Sequence, residues 1–175
     1  MIIPIRTLGD PVLKTPTKPV EHFDRALRRL TDDMLETMYD APGVGLAGPQ
    51  VGVSLAVFVF DDGETGPMLM ANPELRRLAG EAVLEEGCLS VPGPFYPTRR
   101  FSSVVCRGQD LQGEAFEMSA EGLLARIFQH ETDHLHGTLF IDRLDEEGRR
   151  SVLSELRRIE LGLQEPRKRR RRDEG

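Results

Sequence analysis

His130 and His134 stand four residues apart, directly behind the apolar-leaning run Leu123–Phe128, and Glu131 follows the first of them. No other feature limits the architecture as severely. The stretch "SAEGLLARIFQHETDHLHG" reads as a helix, with Ser119 as its cap and Gly137 just past its end. On a helix, residues i and i+4 lie about 40° apart around the axis and roughly 6 Å apart along it. Both imidazoles therefore point the same way, and Leu123 and Ile127 occupy the same stripe, which turns the pair toward the interior. Unpaired imidazoles among apolar neighbours cost desolvation free energy, whereas a shared cation satisfies both. Chance histidines on a surface helix would leave that apolar stripe unexplained. Glu131 sits where H-E-x-x-H metalloenzymes keep the carboxylate that handles a water proton.

Two histidines hold a catalytic ion poorly; three protein ligands and an open position are usual. His136 falls on the opposite side of the helix and reads as a residue of its C-terminal turn. Glu146 and Glu147 follow downstream, but nothing marks them out. Upstream, "EEGCLSVPG" offers Cys88 between glycine and leucine, a soft, strongly binding thiolate. Alone, Cys88 would be a buried structural thiol. With HETDH in the same chain it becomes the third candidate ligand. Cys106, in "SSVVCRG", reads as a small buried residue of a strand. A disulfide between these two is not expected in a chain without an export signal.

Around these residues the chain reads as α+β. Asp24 caps an amphipathic helix with Leu27, Leu30, Met34 and Met38 at helical spacing, stopped by Ala41-Pro42-Gly43. A glycine-rich loop, "GVGLAGPQVGV", leads into the strand "SLAVFVF". "DDGETG" is a turn and "PMLMANPEL" a further strand, and "AVLE" before Cys88 is strand-like. Residues 102–107 and 114–119 form a hairpin through "GQDLQG". A last helix carries Val152, Leu153, Leu156 and Ile159 on one side. The expected architecture is small antiparallel or mixed sheets around a central metal-binding helix, with N-terminal and C-terminal helices. No repeat or interdomain linker divides it. Residues 1–165 read as a single catalytic domain, and 166–175 as a basic, disordered tail.

Charge bears on partners. The net charge is −6, of which Arg167–Glu174 contribute +4, leaving −10 on residues 1–166. An acidic body argues against DNA as the substrate of the folded part. The run "RKRRRR" is a solvated end with the chemistry for transient ribosome contact. The opening "MIIPIRTLGDP" lacks a signal-peptide pattern, and no apolar stretch approaches the roughly 20 residues of a membrane helix. The reading is a soluble, cytoplasmic chain without a membrane partner.

Three segments, "GVGLAGPQ" (43–50), "EGCLS" (86–90) and "QHETDH" (129–134), resemble in order and spacing the signature motifs of the bacterial peptide deformylases. "LGDPVL" and "HGTLFIDRL" extend the similarity across most of residues 3–145. The resemblance implies hydrolysis of the N-formyl group of the starting methionine of nascent polypeptides, with release of formate. It implies one divalent ion on Cys88, His130 and His134, Fe²⁺ in the cell, with Zn²⁺, Ni²⁺ or Co²⁺ able to occupy purified protein. Glu131 would move the proton, and the Gln50 amide and Leu89 N–H would hold the formyl oxygen. Val44, Leu123 and Ile127 would receive the methionine side chain, and Gly45 and Gly87 the peptide backbone. Two departures stand out. Gly48 replaces an alanine common in the family, a lost methyl that would slacken the loop without altering function because the glycines and Gln50 remain, and "GPFYPTRR" (93–100) is unusually aromatic, which bears on the substrate rim. Asp133 reads as a structural ion-pair partner of Arg99 or Arg100.

Two rival readings make different demands. An H-E-x-x-H metallopeptidase needs its third ligand downstream of His134 and keeps its metal without Cys88. A zinc-stapled interaction domain needs a fourth protein ligand.

Overall fold

The structure, a computed structural model, describes residues 1–167. The rest of the expected tail, residues 168–175, lies outside them. The first long helix, α1 (Arg25–Asp40), begins as its sequence requires: Asp24 Oδ1 accepts from the Leu27 N–H at 3.0 Å. It buries Leu27, Thr31, Met34, Thr37 and Met38. Beyond it come β1 (Gly45–Ala47), β2 (Val57–Phe60), β3 (Met68–Ala79), β6 (Ser103–Gln109) and β7 (Ala115–Glu121), an antiparallel five-stranded sheet in the order β1-β2-β3-β6-β7. The second long helix, α2 (Gly122–Leu135), covers its other face.

Strand β2 explains this layering. Its four residues are apolar and buried, because successive side chains point to opposite faces and both faces are covered. Val57 and Val59 join Leu27, Met34 and Met38 under α1. Phe58 and Phe60 join Ala125, Ile127 and Phe128 under α2, with Phe60 and Phe128 edge to face at 5.1 Å. Each such side chain contributes about 1.5–3 kcal/mol when buried.

A separate antiparallel hairpin pairs β4 (Ala82–Cys88) with β5 (Val91–Arg100). The third long helix, α3 (Glu146–Glu160), is capped by Asp145, whose Oδ1 accepts from Gly148 N at 2.7 Å. It closes over the hairpin through Val152 and Leu156, which share a cluster with Cys88, Val91 and Phe140. Arg167 ties back to α3, its Nε 3.0 Å from Glu155 Oε1. Among the described residues no helix is long and apolar enough to cross a membrane.

Several local expectations shift. Ser119 does not cap α2: it sits in the β7 ladder opposite Val105, and pairing continues to Glu121 opposite Ser103. The helix starts at Gly122 (φ +57°) after Glu121, which makes no side-chain cap bond. The ladder outcompetes the cap because it satisfies both strands' backbone groups. The glycine-rich loop contains β1, followed by a 3-10 turn over Gly48–Val51. Gly48 does not loosen that loop. A Cβ there would lie 2.7 Å from the Val53 carbonyl oxygen and 2.9 Å from that of Leu55, so glycine permits a close backbone approach. Strand β3 outruns "PMLMANPEL" and slips register between Ala71 and Glu74, around Pro73, which has no ladder donor.

Candidate active site

Helix α2 is buried without interruption from Ala125 to Leu135. The irregular N-terminal segment ties the surrounding loops together. Arg6 N–H donates to the Gln50 carbonyl (2.7 Å), Leu8 N–H to that of Ser90 (2.8 Å), and Thr17 N–H to that of Leu135 (3.0 Å). Three segments distant in sequence are thereby fixed around one point.

At that point Cys88, His130 and His134 converge, their ligand atoms all within 4.8 Å of one another. The two Nε2 atoms are 3.2 Å apart, and Cys88 Sγ is 3.4 Å from His134 Nε2. Donors bonded at about 2.0–2.3 Å around a tetrahedral ion stand roughly 3.3–3.6 Å from each other, so the set fits a single cation. Glu86 fixes one tautomer: its Oε2 accepts from His130 Nδ1 at 2.8 Å, which leaves the Nε2 lone pair aimed at the centre. Burial alone would raise the Cys88 thiol, but the imidazoles of His134 and His130 hold it well below its ordinary value, toward the thiolate that binds metal. Cys106 is the contrast. Burial with no opposing charge pushes it up to about 12, the state of an inert core thiol.

Glu131 packs against β1 so closely that a Cβ on Gly45 would meet its Oε1 at 2.6 Å. The glycine is needed by the carboxylate itself. Glu131 is 4 % exposed, its Oε2 has no hydrogen-bond partner among the described residues, and burial raises its pKa. An unpartnered buried carboxylate oxygen beside a cation site is a group waiting for a ligand or water. Gln50 is anchored by its Oε1, which accepts from Ala47 N at 3.0 Å, while Nε2 faces Ser90 Oγ (3.1 Å) and Cys88 Sγ (3.6 Å). Its amide thus presents donors to the same centre.

Beside it opens a cavity of about 230 Å³, bordered by Val44, Gly45, Gln50, Gly87, Cys88, Leu89, Phe95, Leu123, Ile127, His130 and Glu131. All the residues expected to receive substrate are there. Leu123 differs in one respect: it is half exposed at the rim, not buried with Ile127. Phe95, from the aromatic segment, stands opposite and fills the space above Gly87. His136 is an exposed C-terminal cap, and Glu146 and Glu147 lie in the first turn of α3. Among the described residues no fourth ligand joins the cluster.

Sequence reasoning missed a buried ionic network behind the ligands. Glu86 accepts from Arg100 (Nε 3.1 Å, Nη2 2.6 Å), from Arg126 Nη1 (2.7 Å) and from His130. Arg100 continues to Asp133 at 2.7 Å, and Asp133 to Arg143 at 2.6 Å. Arg100 is therefore the partner of Asp133, and Arg99 instead pairs with Glu81. Burial would raise Glu86, but His130 and Arg100 hold it well below the carboxylate range. A signal existed in the strand period: Glu86 lies two residues before Cys88 and so on its face.

With this geometry in view, the comparisons agree. The sequence model of the polypeptide deformylase family matches residues 2–150. A peptide deformylase from Acidothermus cellulolyticus is 52% identical over 158 residues, covering 90% of this chain and 87% of that one. The crystal structure of a peptide deformylase from Legionella pneumophila aligns with TM-score 0.88 at 43% identity, over 95% of this chain and 100% of that one. One from Synechococcus elongatus, in complex with actinonin, aligns with TM-score 0.83 at 39% identity, over 93% and 89%.

Proposed function

Because the chain belongs to the polypeptide deformylase family, and so is an enzyme that removes the N-formyl group from nascent peptides, we propose that Cys88, His130, Glu131 and Gln50 carry the reaction. The observation behind this is the approach of the Cys88, His130 and His134 ligand atoms to within 4.8 Å of one another beside a cavity that Gln50 and Glu131 also line, with Glu131 Oε2 unpartnered among the described residues. Cys88, His130 and His134 would hold one divalent ion, which would supply Lewis acidity that polarises a carbonyl and makes water more acidic.

The remaining steps belong to side chains of this protein. Glu131 takes the proton of the attacking water and passes it to the leaving amine. Its burial suits this, because a raised pKa brings a carboxyl closer to neutral. As the formyl oxygen gains charge, the Gln50 amide and the Leu89 N–H donate to it. Val44, Ile127 and the rim residue Leu123 receive the methionine side chain, and the backbone at Gly45 and Gly87 lies alongside the peptide. A closed four-ligand staple would not leave such a cavity open, and a ligand downstream of His134 is not needed once Cys88 is counted.

The ion in the cell is Fe²⁺ in this reading, with Zn²⁺, Ni²⁺ or Co²⁺ as replacements in purified protein; an open-sided thiolate–imidazole set suits all four. Residues 1–165 form the catalytic domain, since α3 covers the hairpin that carries Cys88. The enzyme works in the cytoplasm, where formylated chains emerge, and the basic run 167–172 contacts the ribosome transiently.

The test uses anaerobically purified protein and formyl-Met-Ala-Ser. Wild type releases formate, and Cys88→Ala loses both stoichiometric metal and activity. Full metal occupancy in Cys88→Ala would overturn the ligand assignment and revive the peptidase reading.

A further inference from the structure

Among the polar groups of the cavity wall is one, on α2, that neither metal binding nor proton transfer uses. Arg126 lies one helical turn before His130, about 6 Å along the axis, and borders the same cavity. Its hydrogen bonds all leave from the terminal nitrogens. Nη1 reaches Glu86 Oε1 at 2.7 Å, and Nη1 and Nη2 each reach the Thr98 carbonyl at 3.2 Å. A guanidinium has five N–H donors, so Nε–H and one Nη2 hydrogen remain without a partner among the described residues. The side chain is 9 % exposed, and the cavity is the open space it borders.

Glu86 does not cancel this donor character. Its Oε1 is taken by Arg100 Nε and Arg126 Nη1, and its Oε2 by Arg100 Nη2 and His130 Nδ1. The cavity wall holds apolar groups and several polar ones, the carboxylates of Glu85 and Glu86 among them, and Arg126 adds to these a donor with spare capacity. A thioether sulfur is only a weak acceptor, so intact methionine meets that donor poorly. Methionine sulfoxide has nearly the same length but carries a strong acceptor oxygen on a chiral sulfur.

We infer that Arg126 is a specificity-determining residue that lets this cavity accept formyl-methionine sulfoxide, so that peptides with an oxidised first residue are deformylated as well as intact ones. The inference rests on the reading that the cavity holds the first side chain. The reaction is the same hydrolysis: the formyl C–N bond breaks, water supplies the hydroxyl of formate and the proton of the amine, and the sulfoxide is left unchanged. One-sided donation from α2 favours one sulfur configuration over the other. A cavity that merely tolerated bulk would not distinguish them.

The experiment measures kcat/KM of the metal-loaded enzyme on formyl-Met-Ala-Ser, its norleucine analogue and the two separated sulfoxide epimers. Wild type is expected to cleave one epimer within about 10-fold of the methionine peptide, and the other at least about 5-fold more slowly. In Arg126→Leu the ratio of the favoured epimer to norleucine should fall at least about 30-fold. Ratios within one preparation cancel any general loss from disturbing Glu86. The wild-type epimer comparison stands even if the variant does not fold. Both epimers about 10³-fold poorer than methionine, or ratios unchanged in Arg126→Leu, would overturn the inference while deformylation of the methionine peptide stands. Failure of the methionine peptide itself would instead sink the functional reading.

Discussion

Helices α1 and α2 flank the same sheet and differ in almost everything that stabilises them. Helix α1 buries only five residues, Leu27, Thr31, Met34, Thr37 and Met38, and keeps its charges outside. Helix α2 buries eleven in succession, seven of them polar: Arg126, Gln129, His130, Glu131, Thr132, Asp133 and His134. Most of these find partners on β4 and β5 or just beyond: Arg126 and His130 on Glu86, Asp133 on Arg100, and Gln129 on the Phe101 backbone. Helix α1 is held by apolar area and a cap; α2 adds to its apolar contacts with Phe58 and Phe60 a network that exists only once the hairpin has docked. The helix that costs most to bury is the one to which the proposed chemistry is assigned.

The largest effect expected from this contrast is functional and confined to α2. His134→Ala should abolish metal binding and formate release together. Glu131→Gln should retain stoichiometric metal by elemental analysis, while turnover falls at least ~10²-fold. Loss of metal in Glu131→Gln would make Glu131 a ligand and break the division of roles. No substitution on the outer face of α1 should move either readout.

That contrast also decides what the sequence made legible. Helix α1 was readable from Asp24 to Met38 because local signals and burial agree. The clustering of Cys88, His130 and His134, with Glu131 and Gln50 on the same cavity, was readable because helical spacing and motif order carry it. Of the network only the Asp133–Arg100 pair was readable; Glu86 with Arg100 and Arg126 was not, since that partnership spans up to 40 residues and forms across a hairpin and a helix. Ser119 misled for a similar reason, a good local cap claimed by a longer-range ladder. Gly48 misled because its constraint comes from the Val53 and Leu55 carbonyls, not from its own motif.

Next in size comes the network. In Glu86→Gln the shape is kept and the charge lost, leaving Arg100 and Arg126 short of a buried counter-charge. Stability should drop by about 3–5 kcal/mol in urea titration. Metal affinity should weaken ~10–100-fold, because His130 loses its anchor. Unchanged metal affinity with lower stability would make Glu86 a structural residue only.

Met34→Ala probes the other helix. Met34 is fully buried against Val57 and Val59, and truncation should cost about 2–5 kcal/mol. Formate release per folded molecule and metal content should stay at wild-type values, since no α1 side chain reaches the ligands. A change in kcat at constant folded fraction would show that the sheet transmits strain from one face to the other, and the two helices would not be separable.

The smallest effect tests the helix starts directly. Asp24 Oδ1 satisfies the Leu27 N–H at 3.0 Å, so Asp24→Ala removes a real cap and should cost about 1 kcal/mol, within the usual 0.5–2 kcal/mol range. Glu121 stands at the corresponding position of α2 and makes no cap bond. Its backbone is instead fixed by pairing with Ser103. Glu121→Ala should therefore change stability by less than about 0.5 kcal/mol. Chemical denaturation of the two variants under metal-saturated conditions makes the comparison, with equal slopes required so that the midpoints can be compared. Equal losses would mean that α2 also depends on its own first turn, and that docking of the hairpin is not what sets where it begins.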